Sequence, residues 1–154
     1  MRPALQEFLR APTKFTSLIK PPRVRPSHTA LVQTDGSFSS SYPKISRTAV
    51  ILNTKMHEEW TLSTTYSNHK NSGEAEWCSV LDGIKYAIKK GQFAIELEND
   101  NLGVIQSLIH RNIPKTSSLS YYYLAIYKEI TNLDYIGARW IPRELNKADE
   151  LFRL

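Results

Sequence analysis

The chain has 154 residues, a length that fits one domain with a core of ordinary size. Hydrophobic residues make up 41% and charged residues 23%, a globular composition, and no run approaches the roughly 18 consecutive apolar residues of a membrane span. The single cysteine, Cys78, excludes a disulfide framework and a cysteine-rich zinc site, and the formal charge is +5.

That charge is unevenly spread. Residues 1–28 carry Arg2, Arg10, Lys14, Lys20, Arg23 and Arg25 against Glu7 and net +5, whereas residues 29–154 carry 14 basic and 14 acidic residues and net zero. A basic arm of this kind suits phosphate backbones, and a solubilising tail is the plainer reading. The arm's poverty in acids also fits an organelle transit peptide, an idea that Glu7 and the prolines weaken. It has no apolar core of a secretory signal, so an intracellular, cytoplasmic protein is expected, with organelle targeting left open.

Pro21, Pro22 and Pro26 mark a boundary, because proline runs resist both helix and central strand. The expected division is therefore an N-terminal extension over 1–28 and a folded domain over 29–154. Within the extension a short helix is expected around Leu5–Leu9. Past the boundary, Thr29–Phe38 reads as a strand that breaks at Asp35-Gly36-Ser37, and Ser37–Ser41 reads as a flexible turn. Thr48–Leu52 and Glu59–Tyr66 read as two more strands, joined as a hairpin by a short loop around Lys55–His57. Ser67–Gly73 is a polar loop leading to a helix.

Apolar residues at Trp77, Val80, Leu81, Ile84, Ala87 and Ile88 predict a helix over Glu74–Lys90, closed by Gly91. Phe93–Asp100 is a fourth strand, Leu102–Ile109 and Leu119–Ile130 are helices, Asp134–Ile141 is a fifth strand and Leu145–Leu154 a terminal helix. This order predicts an α/β domain with a mixed sheet.

Four carboxylates fall where strands end or helices begin: Asp35, Glu76, Asp100 and Asp149. Sites in open α/β sheets collect beyond the carboxyl ends of strands. Hard cations such as Mg²⁺ take oxygen ligands, and phosphodiester cleavage benefits from two such ions about 3.5–4 Å apart. Clustered carboxylates can hold that pair, although they repel one another without it. A single Asp at a strand end is more often a turn or cap residue; four acids at consistent places shift that balance.

Four stretches resemble the ribonuclease H family. Thr34-Asp35-Gly36-Ser37 is similar to that family's first-strand motif, and Ala75-Glu76-Trp77 with Leu81 and Gly83 to its helical stretch. Glu98-Asn99-Asp100-Asn101-Leu102 is similar to its strand-ending Asp, and Pro142-Arg143-Glu144-Leu145-Asn146 with Ala148-Asp149 to its closing pattern. The resemblance spans about residues 29–154 and implies a five-stranded sheet of order 3-2-1-4-5, its second strand antiparallel to the rest. It implies a catalytic domain in which Asp35, Glu76, Asp100 and Asp149 hold two Mg²⁺ ions, with Mn²⁺ able to substitute. Glu74 competes with Glu76 for the helical role; the Ala-Glu-aromatic context favours Glu76, and Glu74 suits a first-turn acid beside the helix dipole.

The implied activity is hydrolysis of the RNA strand of RNA–DNA hybrids, by a monomer that touches no membrane. Gly36, Ser37, Ser72, Asn101, Arg143 and Asn146 are the expected substrate contacts. Three departures stand out. The loop over 142–147 lacks the family's frequent histidine, with Arg143 and Glu144 in its place. Ser72 and Gly73 stand where paired asparagines are common. No basic protrusion is evident, so the neutral domain resembles the compact branch, and the basic arm can substitute for the protrusion through counterion release. Two other readings remain open: another nuclease on this fold, such as a resolvase or exonuclease, or a catalytically silent nucleic-acid-binding domain.

His28, His57, His69 and His110 have no metal-ligand spacing and read as surface or capping residues. Cys78 reads as a small core residue, and Trp60, Trp77 and Trp140 as core or core-edge. Tyr121, Tyr122 and Tyr123 can stack on bases, with at least one packing in the helix interface.

Overall fold

The computed structural model describes residues 17–20, 28–54, 56 and 58–153. Strand β1 (Ser17–Lys20) is followed by β2 (Ala30–Ser39), β3 (Ile45–Asn53), β4 (Glu59–Tyr66), helix α1 (Ser72–Lys89), β5 (Ala94–Asn99), α2 (Leu102–His110), α3 (Ser117–Ile130) and β6 (Tyr135–Trp140). Two 3-10 turns follow, Arg143–Leu145 and Lys147–Arg153. The strands form one sheet in the order β1-β6-β5-β2-β3-β4. β2, β5 and β6 are parallel, and β3 is antiparallel to both its neighbours.

The order expected for five strands is present, with a sixth strand added beyond its last member. β1 lies antiparallel to β6, Leu18 opposite Gly137 and Lys20 opposite Ile136. It satisfies an edge that β6 would otherwise present. Ile19 is buried, its carbonyl accepts from Arg111 Nη2 at 2.9 Å, and Lys20 Nζ donates to the Leu133 carbonyl at 2.7 Å. The sheet thus takes a strand from the segment read as an extension. Four residues ending at a proline pair are too few for periodicity to reveal. The helix expected around Leu5–Leu9 and the cations Arg2, Arg10, Lys14, Arg23 and Arg25 lie outside the described residues.

Alternation along the strands divides the sheet into two faces. Val32, Val50, Leu52, Ile95, Leu97, Ile136 and Ala138 share one apolar core with the buried stripes of α1, α2 and α3. On the other face, Ala49 and Ile51 pack against Ala148, with Leu151 and Phe152 beside them. The closing segment therefore covers the sheet from the side opposite the helices. It does so as 3-10 turns and not as the expected α-helix over Leu145–Leu154. The cause is Asn146, whose side chain bonds across to Thr34 and back to the Ala148 N–H, interrupting a regular helix.

Helix α1 begins at Ser72, two residues before the expected Glu74, because Asn71 caps it, Oδ1 accepting from Glu74 N at 2.9 Å. Gly91, at φ 76°, closes the other end: Gly91 N donates to Ile88 O at 3.0 Å and Gln92 N to Ala87 O at 2.9 Å. Between these caps the helix lies hard against β2. A Cβ on Gly83 would come within 2.4 Å of Thr34 Cγ2 and 3.1 Å of Val32 Cγ1. Among the described residues, no helix is long and apolar enough to cross a membrane.

This contact yields the first prediction. Gly83→Ala overpacks the α1–β2 interface and should cost about 1–3 kcal/mol, read as a shifted denaturation midpoint. Thr34→Ser removes the Cγ2 that is struck and keeps the hydroxyl that Asn99 bonds at 3.0 Å. The double variant should therefore recover much of the loss. Additive losses in the double variant would contradict this account of the helix position.

Candidate functional site

The parallel ladder between β2 and β5 ends at Gln33 opposite Glu98. Beyond that point β2 continues beside β3 alone, as far as Ser39 opposite Ile45. Asp35 therefore lies inside a strand and not at its end, at the place where two parallel strands part. Ser37, Phe38 and Ser39 are strand residues paired with Arg47, Ser46 and Ile45, so the turn expected over Ser37–Ser41 begins only after Ser39. Asp100 follows directly on β5 and faces the same opening.

The split leaves the Thr34 carbonyl without a ladder partner. Two buried amides satisfy it: Asn99 Nδ2 at 3.0 Å and Asn146 Nδ2 at 2.9 Å. Asn99 Oδ1 in turn accepts from Asn101 N at 2.7 Å, which fixes the turn that carries Asp100. Asn101 then caps α2, its Oδ1 accepting from Val104 N at 3.1 Å.

Glu76 arrives from the helix. A Cβ on Gly36 would come 2.4 Å from Ala75 C, 2.5 Å from Ala75 O and 2.6 Å from Glu76 N. Only glycine lets the first turn of α1 lie this close to β2. At Gly36, an expected substrate contact, the close neighbour is the protein's own helix. The Gly36 N–H donates to Glu76 Oε1 at 2.8 Å and to Asp35 Oδ1 at 3.0 Å, tying the two acids together.

Asp35, Glu76 and Asp100 each present a carboxylate oxygen within 4.8 Å of the others. Glu76 Oε2 is buried with no hydrogen-bond partner. Burial lifts Asp35 to about 9, with the Glu76 carboxylate next in effect and the charges of Asp100 and Asp149 adding to it. Burial also raises Glu76 and Asp100. For Asp100, a backbone hydrogen bond and the Arg143 guanidinium offset part of the rise. Two buried acids and one half-buried acid, with an orphaned oxygen on Glu76, are poorly arranged as they stand, and a hard cation could satisfy them together.

Asp149 stands outside this trio. Its carboxylate pairs with Arg153 at 3.0 Å and lies 3.9 Å from Arg143, although its charge still reaches Asp35 and Asp100. Arg143 is exposed, as is Ser72 at the start of α1, and Ser37 is half-buried. Asn146 is 3% exposed, and its amide is taken up within the protein. Glu74 is buried without joining the trio, and it lines a cavity of about 500 Å³ with Tyr66, Asp82, Tyr121 and Tyr122.

Several polar residues escaped the sequence reading. His69 is neither a surface residue nor a cap: it is buried, bonds Ser46 Oγ through Nδ1 and Tyr122 OH through Nε2 at 2.8 Å, and burial lowers its pKa. It joins β3 to α3 just before the cap of α1. Gln33, Glu98 and Arg139 are also buried. The available signal was their spacing, since Gln33 and Glu98 stand two residues before Asp35 and Asp100 and so share their strand faces. Cys78 and Trp77 are buried as expected, Tyr123 packs into the core, and Tyr121 is exposed.

The raised Asp35 has a testable consequence for the metal-free protein. A carboxyl whose folded pKa exceeds its ordinary 3.8 contributes most stability below that value and loses it as pH rises through about 9. Asp35→Asn removes this loss and keeps an acceptor for Gly36 N. In chelator, its melting temperature should exceed that of the parent by more at pH 8 than at pH 5. Adding Ca²⁺ should narrow the gap by raising the parent. A gap that shrinks as pH rises would refute the buried-acid picture.

No curated protein matches the chain in sequence. The family model described as reverse transcriptase-like matches residues 33–151. Among solved structures, RNase H1 from the halophilic archaeon Halobacterium salinarum NRC-1 aligns at TM-score 0.72 and 20% identity, over 80% of this chain and 93% of that one. The N-terminal RNase H domain of Rv2228c from Mycobacterium tuberculosis aligns at TM-score 0.68 and 22% identity, over 81% and 91%. LC11-RNase H1, solved in complex with an RNA/DNA hybrid, aligns at TM-score 0.70 and 17% identity, over 80% and 93%. These likenesses establish the fold, and the family match takes in Asp35, Glu76, Asp100 and Asp149. The chain belongs to the reverse transcriptase-like family and has the ribonuclease H-like fold.

Proposed function

We propose that the chain is an endoribonuclease that hydrolyses the RNA strand of RNA–DNA hybrids with two Mg²⁺ ions, Mn²⁺ substituting. The carrying observation is the carboxylate trio of buried Asp35, buried Glu76 and half-buried Asp100 with the orphaned Glu76 Oε2. The solved relative bound to an RNA/DNA hybrid supports the choice of substrate. Asp35, Glu76 and Asp100 would hold one ion, and Asp149, released from Arg153, would join Asp35 toward the second. When bound, the ions neutralise charge on the scissile phosphate and ease activation of the attacking water.

The chain's own residues supply placement. Gly36 N holds Glu76 and Asp35 in register, and Asn99 and Asn146 hold the β2 backbone open beside them. Arg143 stands exposed at the rim, where a guanidinium suits a phosphate oxygen. Ser37, Ser72 and Asn101 are the residues proposed to meet the hybrid, where a 2′-hydroxyl distinguishes RNA from DNA. Cleavage breaks the P–O3′ bond and leaves a 3′-hydroxyl and a 5′-phosphate. The protein acts as a monomer inside the cell.

The test uses labelled RNA–DNA hybrid, double-stranded RNA and double-stranded DNA, each with and without Mg²⁺. Only the RNA strand of the hybrid should be cut, and only with the ion. Glu76→Gln should abolish cutting and Glu74→Gln should leave most of it. If Glu74→Gln is the more damaging, the helical ligand is misassigned. Hybrid binding without any cutting would favour a catalytically silent binding domain.

Residues 1–28 complete the reading by giving a neutral domain general affinity for a polyanion. Lys20 is engaged on the Leu133 carbonyl, so Arg2, Arg10, Lys14, Arg23 and Arg25 are the cations to neutralise as glutamines. If about three of them meet phosphates, the slope of log affinity against log salt should fall by about 2–3 units. Binding is measured in Ca²⁺ to suppress cleavage. Superimposable slopes would leave the arm without this role.

A further inference from the structure

The non-helix face of the sheet carries a buried polar line that the carboxylate trio does not use. Gln33 on β2, Glu98 on β5 and Arg139 on β6 are 1%, 0% and 2% exposed. Gln33 Nε2 donates to Glu98 Oε1 at 2.8 Å, and Arg139 bonds the other carboxylate oxygen through Nε at 2.5 Å and through an ion pair. At its far end the line meets the closing segment. Gln33 Nε2 also donates to the Leu145 carbonyl at 3.3 Å, and Gln33 Oε1 accepts from Lys147 N at 3.3 Å.

Stability alone does not explain such a line, because a buried ion pair is often no more stabilising than apolar residues of the same volume. It does dictate direction. A carboxylate can only accept, so the Gln33 NH₂ must face Glu98, and the Gln33 carbonyl must then face the Lys147 N–H. Arg139 holds the Glu98 carboxylate oriented, and Glu98 thereby forbids the flipped amide. The two bonds from Gln33 to this segment grip the residues on either side of Asn146, three positions before Asp149. Asn146 itself spans to the Thr34 carbonyl beside Asp35.

We infer that Arg139, Glu98 and Gln33 form a positioning relay that sets the closing segment, and through it Asp149, against the carboxylate trio. None of the three touches a reacting group; Gln33 acts through the segment. The inference rests on the nuclease reading only in taking Asp149 as the fourth acid.

Gln33→Met keeps the volume and removes both the donor and the acceptor. Turnover should fall about tenfold to a hundredfold, as for other residues that orient metal ligands. Ca²⁺ affinity, followed by calorimetry, should fall with it. In native-state hydrogen exchange, the Lys147 and Ala148 amides should exchange at least tenfold faster, while the amides of α1 are unchanged. In an Asp149→Asn background, adding Gln33→Met should change Ca²⁺ affinity less than about twofold, because the residue acts through Asp149. Full multiplicative loss in that background, or unchanged exchange at Lys147, would overturn the relay. If the parent protein cuts no hybrid, the nuclease reading falls while exchange and Ca²⁺ affinity still decide the relay. Should Gln33→Met fail to fold, Arg139→Lys serves in the same cycle: it keeps the charge, loses the planar fork, and should shift the same readouts by a smaller factor.

Discussion

Helix α1 meets strand β2 backbone to backbone at Gly36, where even a methyl group would overlap the Ala75–Glu76 peptide. This contact governs what the open end of the sheet can do. Glu76 has three rotatable bonds and reaches only a few ångströms from its Cα, so the helix must come to the strand. Gly83, two turns along, lets the same face press on Thr34 and Val32. The helix is thus held at two points, and its first turn has little freedom to move Glu76 away from Asp35. The Gly36 N–H, free of any side chain above it, then bonds both acids.

That arrangement is unfavourable by itself. Three carboxyls are desolvated together, and one oxygen of Glu76 has no partner. Its persistence depends on a core that does not need the site. The apolar cluster between the sheet and α1, α2 and α3 includes Leu52, Ile84, Ile95, Leu97, Ile105, Leu108, Ile126 and Ile136, all essentially inaccessible to solvent. Burial on that scale outweighs the local repulsion. Removing one charge should therefore leave the fold intact.

The two faces of the sheet are built on different principles. The helix face is apolar and close-packed. The opposite face pairs a small patch, Ala49, Ile51 and Ala148, with the polar line of Gln33, Glu98 and Arg139. Directional bonds there fix the course of a segment too irregular for helix packing to hold. Asn146 lies at the crossing, breaking the 3-10 path and joining it to β2. Along this irregular path Asp149 stands near enough for its charge to act on Asp35 and Asp100.

Much of this was legible in the chain. Alternation and the 3.6-residue stripe located five strands and three helices, because those patterns reflect which side of each element meets the core. Gly91 and the polar run Ser67–Gly73 marked the ends of α1 to within two residues, since capping is chemistry local to a few residues. Asp35, Glu76 and Asp100 could be named from motifs whose spacing matches a family. What local pattern could not supply was decided by distant partners. β1 exists because β6 has an edge to fill, a fact about residues more than a hundred positions away. β2 runs past Asp35 because β3 continues to pair with it after β5 has left. His69, Gln33, Glu98 and Arg139 are polar residues that composition places at the surface, and they are inside only because each meets its hydrogen-bond partner on another strand or helix. A polar side chain is buried when its partners are buried with it, and which residues those are is settled by the folding of the whole chain.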